Sequence, residues 1–349
     1  MTLAADDVRG MDWDDGLECW VVSDPALARQ VLNHPGFSSQ TSARLCELYM
    51  TEQARQEHHP LTEFLRLWFV HTDDPQHAAL RKPVQRLLSP SYIRSLAPRI
   101  TEIVDWCLED LARTGDVVPS LAEAVSGRVM AHIVGVDEPP SVLHTWSQRL
   151  SAFIAAMYRR DHAKSAHEVM LQMQQSLAQE SPQDTATWAM ILFGGLETTA
   201  SLLSSCILAV LSDPALWAAV RADDGVEAIV ESVLVQRPPL RNVSRVVAED
   251  FQFAGSQLRS GDLVMVSLTG GALLEDRPGC PVSERQHLIF GFGSHYCVGA
   301  PLARLEAATT LRRFVQRFPD ARLAENGAVW GPNISYVGLD HLYVELGGR

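Results

Sequence analysis

Residues 290–314 read FGFGSHYCVGAPLARLEAATTLRRF, and this stretch decides the fold. Gly291, Gly293 and Gly299 crowd around one thiol, Cys297, and a helical pattern follows at once. Leu302, Leu305, Leu311, Phe314 and Phe318 supply much of its apolar face. Glycine lets backbone N–H groups approach a sulfur without side-chain interference. A helix N-terminus carries roughly half an elementary charge, which favours a thiolate placed just ahead of it. Such a thiolate can be a nucleophile, a metal ligand or neither. The glycine spacing does not fit the dinucleotide-binding pattern, and no Gly-Lys-Ser phosphate loop is present.

The chain has 349 residues, 46% hydrophobic and 20% charged, ample for a large buried core in one domain or two. Its formal net charge of −13 argues against nucleic acid or an anionic membrane as a general partner, because both reward a basic surface. Cys19, Cys46, Cys107, Cys206, Cys280 and Cys297 show neither paired metal-ligand spacing nor a disulfide framework. Reduced thiols in a cytoplasmic protein are the expectation. The acidic N-terminal segment MTLAADDVRGMDWDD has no apolar core and does not read as a signal peptide. The run WAMILFGGLETTASLLSSCILAVL, residues 188–211, is long enough to span a bilayer. It carries Glu197 near its middle, beside Thr198 and Thr199, and a charge at that depth is costly in lipid. The run reads instead as a long helix through the centre of a protein that does not enter membranes.

Helical patterns dominate the rest. An extended ECWVVS precedes DPALARQVLNHPGFSS, where Asp24 can cap a helix that stops before His34-Pro35. Residues 75–113 predict two helices, and further helical patterns cover 119–135, 141–159, 162–179, 186–211 and 214–236. Strand-like alternation appears in SRVVAEDFQFAG, GDLVMVSLT and HLYVEL. The expected class is mainly α with minor β, as one large domain over 1–349. Its small β-containing lobe is drawn from the N-terminal strand and part of 240–270.

The string FGFGSHYCVGAPLARLEA closely resembles the haem-ligand loop of the cytochrome P-450 family in its bacterial form. The resemblance runs through nearly the whole chain. It implies the family's fold, with a long central helix over haem b (iron protoporphyrin IX), and Cys297 as the axial iron ligand in a turn shaped by Phe290, Gly293 and Gly299. DPQHAALR resembles the helix whose His and Arg, here His77 and Arg81, hold a haem propionate; their i, i+4 spacing puts both on one helix face. NVSRVVAEDFQFAG resembles the strand that brings Arg245 to a propionate, and His295 is the fourth candidate. FGGLETTAS resembles the family's distal helix, with Glu197 and Thr198 as the catalytic acid-alcohol pair that relays protons. The alternative there is glycines for helix contact and a threonine bonded back to its own helix.

The resemblance fails at a bracing network, and the chain is also shortened between the helix at 162–179 and the central helix, where only AQESPQDTA remains. The family has Glu-x-x-Arg before a double proline, but here EAIVESVLVQRPP puts Glu231 at the Glu and Leu234 at the Arg. The segment GGALLEDRPGCPVSERQ lacks the elements that hold the network's third member. An isolated buried carboxylate is costly. Glu231 is therefore expected in solvent or paired with Arg237 or Arg241, and Glu231→Ala is expected to cost little.

The function implied is a haem-thiolate monooxygenase or oxidase that uses dioxygen on an apolar or aromatic small molecule, a secondary-metabolite intermediate. The pocket would be lined by Trp68, Phe69, Phe193, Gly194, Ile334 and Val337. Ferredoxin and ferredoxin reductase would supply electrons, docking on basic patches that include Arg304, Arg312, Arg313 and Arg317. A carrier protein is a further candidate partner. Two alternatives stand beside this reading: a haem-free scaffold that activates a partner such as a glycosyltransferase, and a haem-thiolate enzyme of non-oxygenating rearrangement.

Overall fold

A computed structural model describes residues 10–177, 179–269, 287–331 and 337–347. The segment 270–286, with Cys280, and Ile334 lie outside the described residues. The chain divides into two compact units, Met1–Pro83 with Leu240–Cys297, and Val84–Pro239 with Val298–Arg349.

The first unit is built on a five-stranded sheet that joins distant sequence. Strands β1 (Met11–Asp14) and β2 (Cys19–Val22) form an antiparallel pair. Helix α1 (Pro25–Asn33) follows; the Asp24 carboxylate accepts from the Leu27 N–H at 2.8 Å, and Pro25 opens the first turn. After β3 (Phe37–Ser38) come helices α2 (Thr41–Tyr49), α3 (Glu52–Glu57), α4 (His59–Arg66) and α5 (Gln76–Leu87). Strand β4 (Asn242–Val247), the hairpin β5 (Phe251–Phe253) and β6 (Ser256–Leu258), and β7 (Leu263–Ser267) complete the unit. The sheet order is β1-β2-β7-β4-β3, with β2 and β7 parallel. Beside it Phe37, Phe251, Phe253 and His34 pack as a ring cluster with centroids 5.1–6.3 Å apart. A Cβ on Gly36 would sit 2.9 Å from Phe251, so only glycine lets the chain pass there.

The second unit is helical: α6 (Pro90–Ser95), α7 (Ala97–Thr114), α8 (Ala124–Val134), α9 (Pro140–Ala155), α10 (Arg160–Ser176), α11 (Pro182–Ser212), α12 (Pro214–Arg221), α13 (Val226–Gln236) and α14 (Ala300–Arg317). Strands β8 (Arg322–Trp330) and β9 (Leu339–Glu345) pair antiparallel. Helix α11 is the axis of this unit and packs on α8, α9, α12, α13 and α14. It is long and apolar enough to cross a membrane, but 72% of its most apolar window is buried within the fold. It is a core helix.

Three expected elements are subdivided. The second of the two helices expected over 75–113 breaks at Leu96, where Pro98 sits in the first turn of a new helix. The pattern over 214–236 breaks where Asp223 and Gly225 take φ of 54° and 63°, a left-handed region no helix continues through. The pattern from 119 begins with a π-helical turn, Val118–Glu123, before α8.

The two glycines of α11 are not equivalent. A Cβ on Gly194 meets nothing within 4 Å, whereas one on Gly195 would lie 2.4 Å from the Met130 sulfur, itself in a buried side chain. Gly194→Ala is expected to stabilise the protein by about 1 kcal/mol through helix propensity. Gly195→Ala should lose that gain and about 1–3 kcal/mol more to overpacking. Urea denaturation of both variants checks this; equal gains would remove the packing argument.

Candidate functional site

The loop before α14 is fixed by its own backbone. Gly291 and Gly293 take φ of 76° and 72°, and a Cβ on Gly293 would lie 2.7 Å from the Asn33 side-chain oxygen. The turn Gly293–His295 closes with the Tyr296 N–H donating to Gly293 O at 3.1 Å, and the Cys297 N–H donates to Phe290 O at 2.7 Å. The thiol of Cys297 is presented on the exposed side of this turn. Helix α14 starts three residues later, with Gly299 at its N-cap position.

Around that loop, the first unit gathers guanidinium and imidazole groups. His77 and Arg81 lie one turn apart on α5, 1% and 9% exposed, and Arg245 on β4 is 7% exposed. The Arg81 guanidinium donates to the Tyr296 carbonyl and feels the charge of Cys297. The His77 and His295 rings stack with centroids 3.8 Å apart. Arg245 donates to the adjacent Ser244 carbonyl at 2.8 Å, and His295 Nε2 lies 3.1 Å from Ser39 Oγ. Burial, then the charges of His77, Arg245 and Arg81, pushes His295 down to about 3. Burial and then Arg81 also lower His77, and burial brings Arg245 down to about 10. At neutral pH the Arg245 guanidinium stays charged and the His295 imidazole is neutral.

Among the described residues this cluster is short of anions. Asp73 acts on Arg245 and both histidines, but its oxygens accept from the Ser39 N–H (2.8 Å), Ser38 Oγ (2.5 Å) and Gln40 Nε2 (3.2 Å). Asp74 stands 3.5 Å from His77 Nδ1. His77 Nε2 and Arg81 Nε are buried with no hydrogen-bond partner. Buried charges and donors of this kind are costly unless a complementary group meets them. Among the described residues no group of three or more His, Cys, Asp or Glu converges as a metal site. One thiolate beside buried donors therefore fits an iron that arrives in a carboxylate-bearing macrocycle. Trp68 and Phe69 are almost wholly buried, stacked respectively on His71 and tilted against His77.

In the second unit, α11 carries the acid and the alcohol. Glu197 accepts from Ser151 Oγ of α9 at 3.0 Å. Ser147, one turn earlier on α9, also favours its charged form, though without good hydrogen-bond geometry. Burial and then the charge of Glu123 outweigh these serines and push Glu197 up to about 7. Thr198 Oγ1 donates to the Gly194 carbonyl at 2.6 Å, the back-bond that the sequence left open. Phe193 is buried and Gly194 exposed. The Val337 N–H donates to Pro239 O at 3.0 Å, and its carbonyl accepts from Ser201 Oγ.

Search against proteins of known identity finds cytochrome P-450s. Over 94% of this chain and 85% of its own length, the cytochrome P-450 monooxygenase PikC of Streptomyces venezuelae is 28% identical. Cytochrome P-450 107B1 of Saccharopolyspora erythraea is 26% identical over 95% of this chain and 90% of its own. The chain is a cytochrome P-450 homologue. No family model matches it. The solved structure of P-450 BioI, in complex with a hexadec-9Z-enoic acid ligated acyl carrier protein, superposes with a TM-score of 0.81. It is 22% identical and covers 93% of this chain and 91% of its own, so the P-450 fold is shared. Members of the family bind haem b, and the named homologues are P-450 monooxygenases, so this P-450 is an enzyme of that class.

Two expectations change in this P-450. Glu231 is neither in solvent nor on Arg237 or Arg241: Arg304 of α14 grips it with two hydrogen bonds of 2.5 and 3.0 Å. The guanidinium that Leu234 cannot supply comes from the helix behind the cysteine loop. The arginines of α14 are also not a bare basic patch. Besides Arg304, Arg312 meets Asp223 (2.5 Å) and Glu227 (2.8 Å), Arg313 meets Asp105 (2.6 and 2.8 Å), and Arg317 meets Glu109 (3.2 Å). Arg304 and Ser151 are the contacts sequence reasoning missed. The one available signal was an arginine on the face of a helix that must be braced.

Proposed function

We propose that this P-450 is a haem-thiolate monooxygenase acting on an apolar or aromatic small molecule of secondary metabolism. The observation that carries the reading is the buried, anion-poor set of Arg81, Arg245, His77 and His295 around the turn that presents Cys297. Cys297 would bind the iron, the four cationic and imidazole side chains would take the propionates, and Phe290, Gly293 and Gly299 would shape the loop. Haem held this way supplies dioxygen activation, with thiolate donation favouring O–O cleavage. Glu197, half-protonated near neutral pH, can hold and release a proton there. Thr198 can turn its hydroxyl from the Gly194 carbonyl to bind and orient a water. Trp68 and Phe69 of the first unit would bound the pocket, and their aromatic rings favour an apolar substrate.

Ferredoxin and its reductase are the proposed electron donors, in the cytoplasm. Because the α14 arginines are paired, docking would rely on the field of the whole face. The structure of P-450 BioI with a loaded acyl carrier protein supports a carrier-presented substrate as a variant of this reading.

Haem titration followed by absorbance tests the cradle. The parent chain is expected to take one equivalent. Arg245→Leu should weaken haem retention about tenfold or more, as for loss of one partner of a buried charge pair. Without haem, that variant should be no less stable than the parent, since it removes a desolvated charge. Undiminished haem affinity in Arg245→Leu would overturn the assignment.

A further inference from the structure

Helix α9 buries Leu143, Trp146, Leu150 and Phe153, and among them stand two serines, Ser147 and Ser151, at 0% and 1% exposure. Apolar side chains are the usual occupants of such positions. A hydroxyl inside a helix commonly bonds back to the carbonyl four residues earlier. Thr145 of the same helix does so, donating to Ser141 O at 2.7 Å. Ser151 Oγ instead reaches across to α11 and donates to Glu197 Oε2 at 3.0 Å. Ser147 lies one helical turn before Ser151, on the same face. Its Oγ is buried with no hydrogen-bond partner, and so is the other carboxyl oxygen, Glu197 Oε1. All of these groups lie in one compact unit, where α9 packs directly on α11. Two unpaired buried polar atoms are costly, and here one is a donor and the other an acceptor. The charged and titratable groups around them do not replace that pairing. Glu123, at the end of the π-helical turn Val118–Glu123, opposes the charge of Glu197. His144 of α9 lies 3.0 Å from the Glu123 carbonyl through Nε2, and burial pushes it down to about 4, so it is neutral. Arg149 of α9 is exposed, and the Arg128 guanidinium of α8 lies 3.5 Å over the Trp106 ring.

We infer that Ser147 and Ser151 are positioning residues for Glu197, a pair of α9 hydroxyls that meet one carboxylate oxygen each and hold the group in place while its proton is away. The inference rests on the reading of Glu197 as proton donor. Rotation about the Ser147 Cα–Cβ bond turns its hydroxyl to Oε1, while Ser151 stays on Oε2. Glu197 gives its O–H proton to a water, the carboxylate left behind accepts both serine hydrogen bonds, and solvent returns one proton before the next delivery. Only O–H bonds change, and no electron moves. Hydrogen bonds to a charged form favour that form. The serines thus oppose the burial and the Glu123 charge that keep the proton on Glu197.

Infrared spectroscopy of the full haem-reconstituted chain, carrying isotope-labelled glutamate, tests this without a substrate. The carboxylic C=O band that Glu197→Gln removes is expected to titrate near pH 7 in the parent. In Ser151→Ala and in Ser147→Ala its midpoint should rise by about half a pH unit or more, the worth of one hydrogen bond. Ser151→Cys keeps a side chain of similar size but a poor donor, so its midpoint should rise as in the alanine variant. A role in packing alone would leave the cysteine variant at the parent value. The second readout is the rate at which dithionite-reduced protein is reoxidised by air, measured across pH. Glu197→Gln should slow it, and the pH profile of each serine variant should shift upward with its infrared midpoint. An unmoved midpoint in any serine variant overturns the inference, as does a reoxidation profile that stays in place while the midpoint moves and Glu197→Gln slows the rate. If the midpoints move but Glu197→Gln is reoxidised like the parent, the reading of Glu197 as donor is what fails.

Discussion

Glu197→Gln is expected to lower product formed per electron on the order of a hundredfold, the typical worth of a positioned proton donor, while haem content stays intact. The same substitution should make the protein more stable at high pH. Burial holds the Glu197 pKa up at about 7 against 4.5 for an ordinary glutamate, so the folded chain keeps a proton that the unfolded chain loses. Its contribution to stability is fully present below pH 4.5 and is lost as pH rises through 7. Glutamine preserves the acceptor for Ser151 and removes that loss. Between pH 4.5 and 8 the variant should therefore gain on the parent by up to about 3 kcal/mol, at roughly 1.4 kcal/mol per pKa unit. Urea denaturation across that range, with product and hydrogen peroxide measured against electrons consumed, checks both halves. Thr198→Ala should show the same shift from product to hydrogen peroxide with no change in pH-dependent stability. A Glu197→Gln variant with parallel stability curves and full coupling would show an acid that neither stores nor delivers protons.

Glu231→Ala and Arg304→Ala form the second large expectation, and it reverses what the sequence predicts. With Leu234 in place of arginine, Glu231 reads as a leftover of a dismantled network. In the structure it receives both arms of the Arg304 guanidinium, with side chains 14% and 34% exposed. A bidentate, partly buried pair exceeds the usual surface value. Discounted for the exposure of Arg304, each single variant is expected to lose about 1–2 kcal/mol. A double-mutant cycle should show coupling of about 1 kcal/mol. Both variants should also hold haem less well, because the pair ties α13 to the helix that begins behind Cys297. Losses within about 0.5 kcal/mol, the range of ordinary surface changes, would return Glu231 to solvent.

What the sequence made legible follows from what is local. The glycines around Cys297, the Asp24 cap and the apolar run of α11 each act within a few residues, and the structure places each as read. His77 and Arg81 were visible as a pair because one helical turn separates them. Their meeting with His295 and Arg245 was legible only through the family resemblance, since no local rule joins α5 to β4. Contacts that depend on tertiary approach were missed. Arg304 meets Glu231 across 73 residues, and Arg313 meets Asp105 across 208, so four arginines that looked like a free basic stripe are paired with acids. Ser151 finds Glu197 across 46 residues, and nothing in either sequence context marks it. The broken helices failed for a different reason. Periodicity survives across Leu96 and Asp223, while backbone geometry does not.

The central claim is that Cys297 is the iron ligand of a bound haem b, and one spectrum tests it. Purified chain, reconstituted with haem and reduced under carbon monoxide, should show the red-shifted Soret band of a thiolate ligand opposite carbon monoxide. Cys297→Ala, equally folded by circular dichroism, should lose that band. A parent chain that stays colourless after reconstitution, or a carbon monoxide spectrum unchanged in Cys297→Ala, would contradict the account.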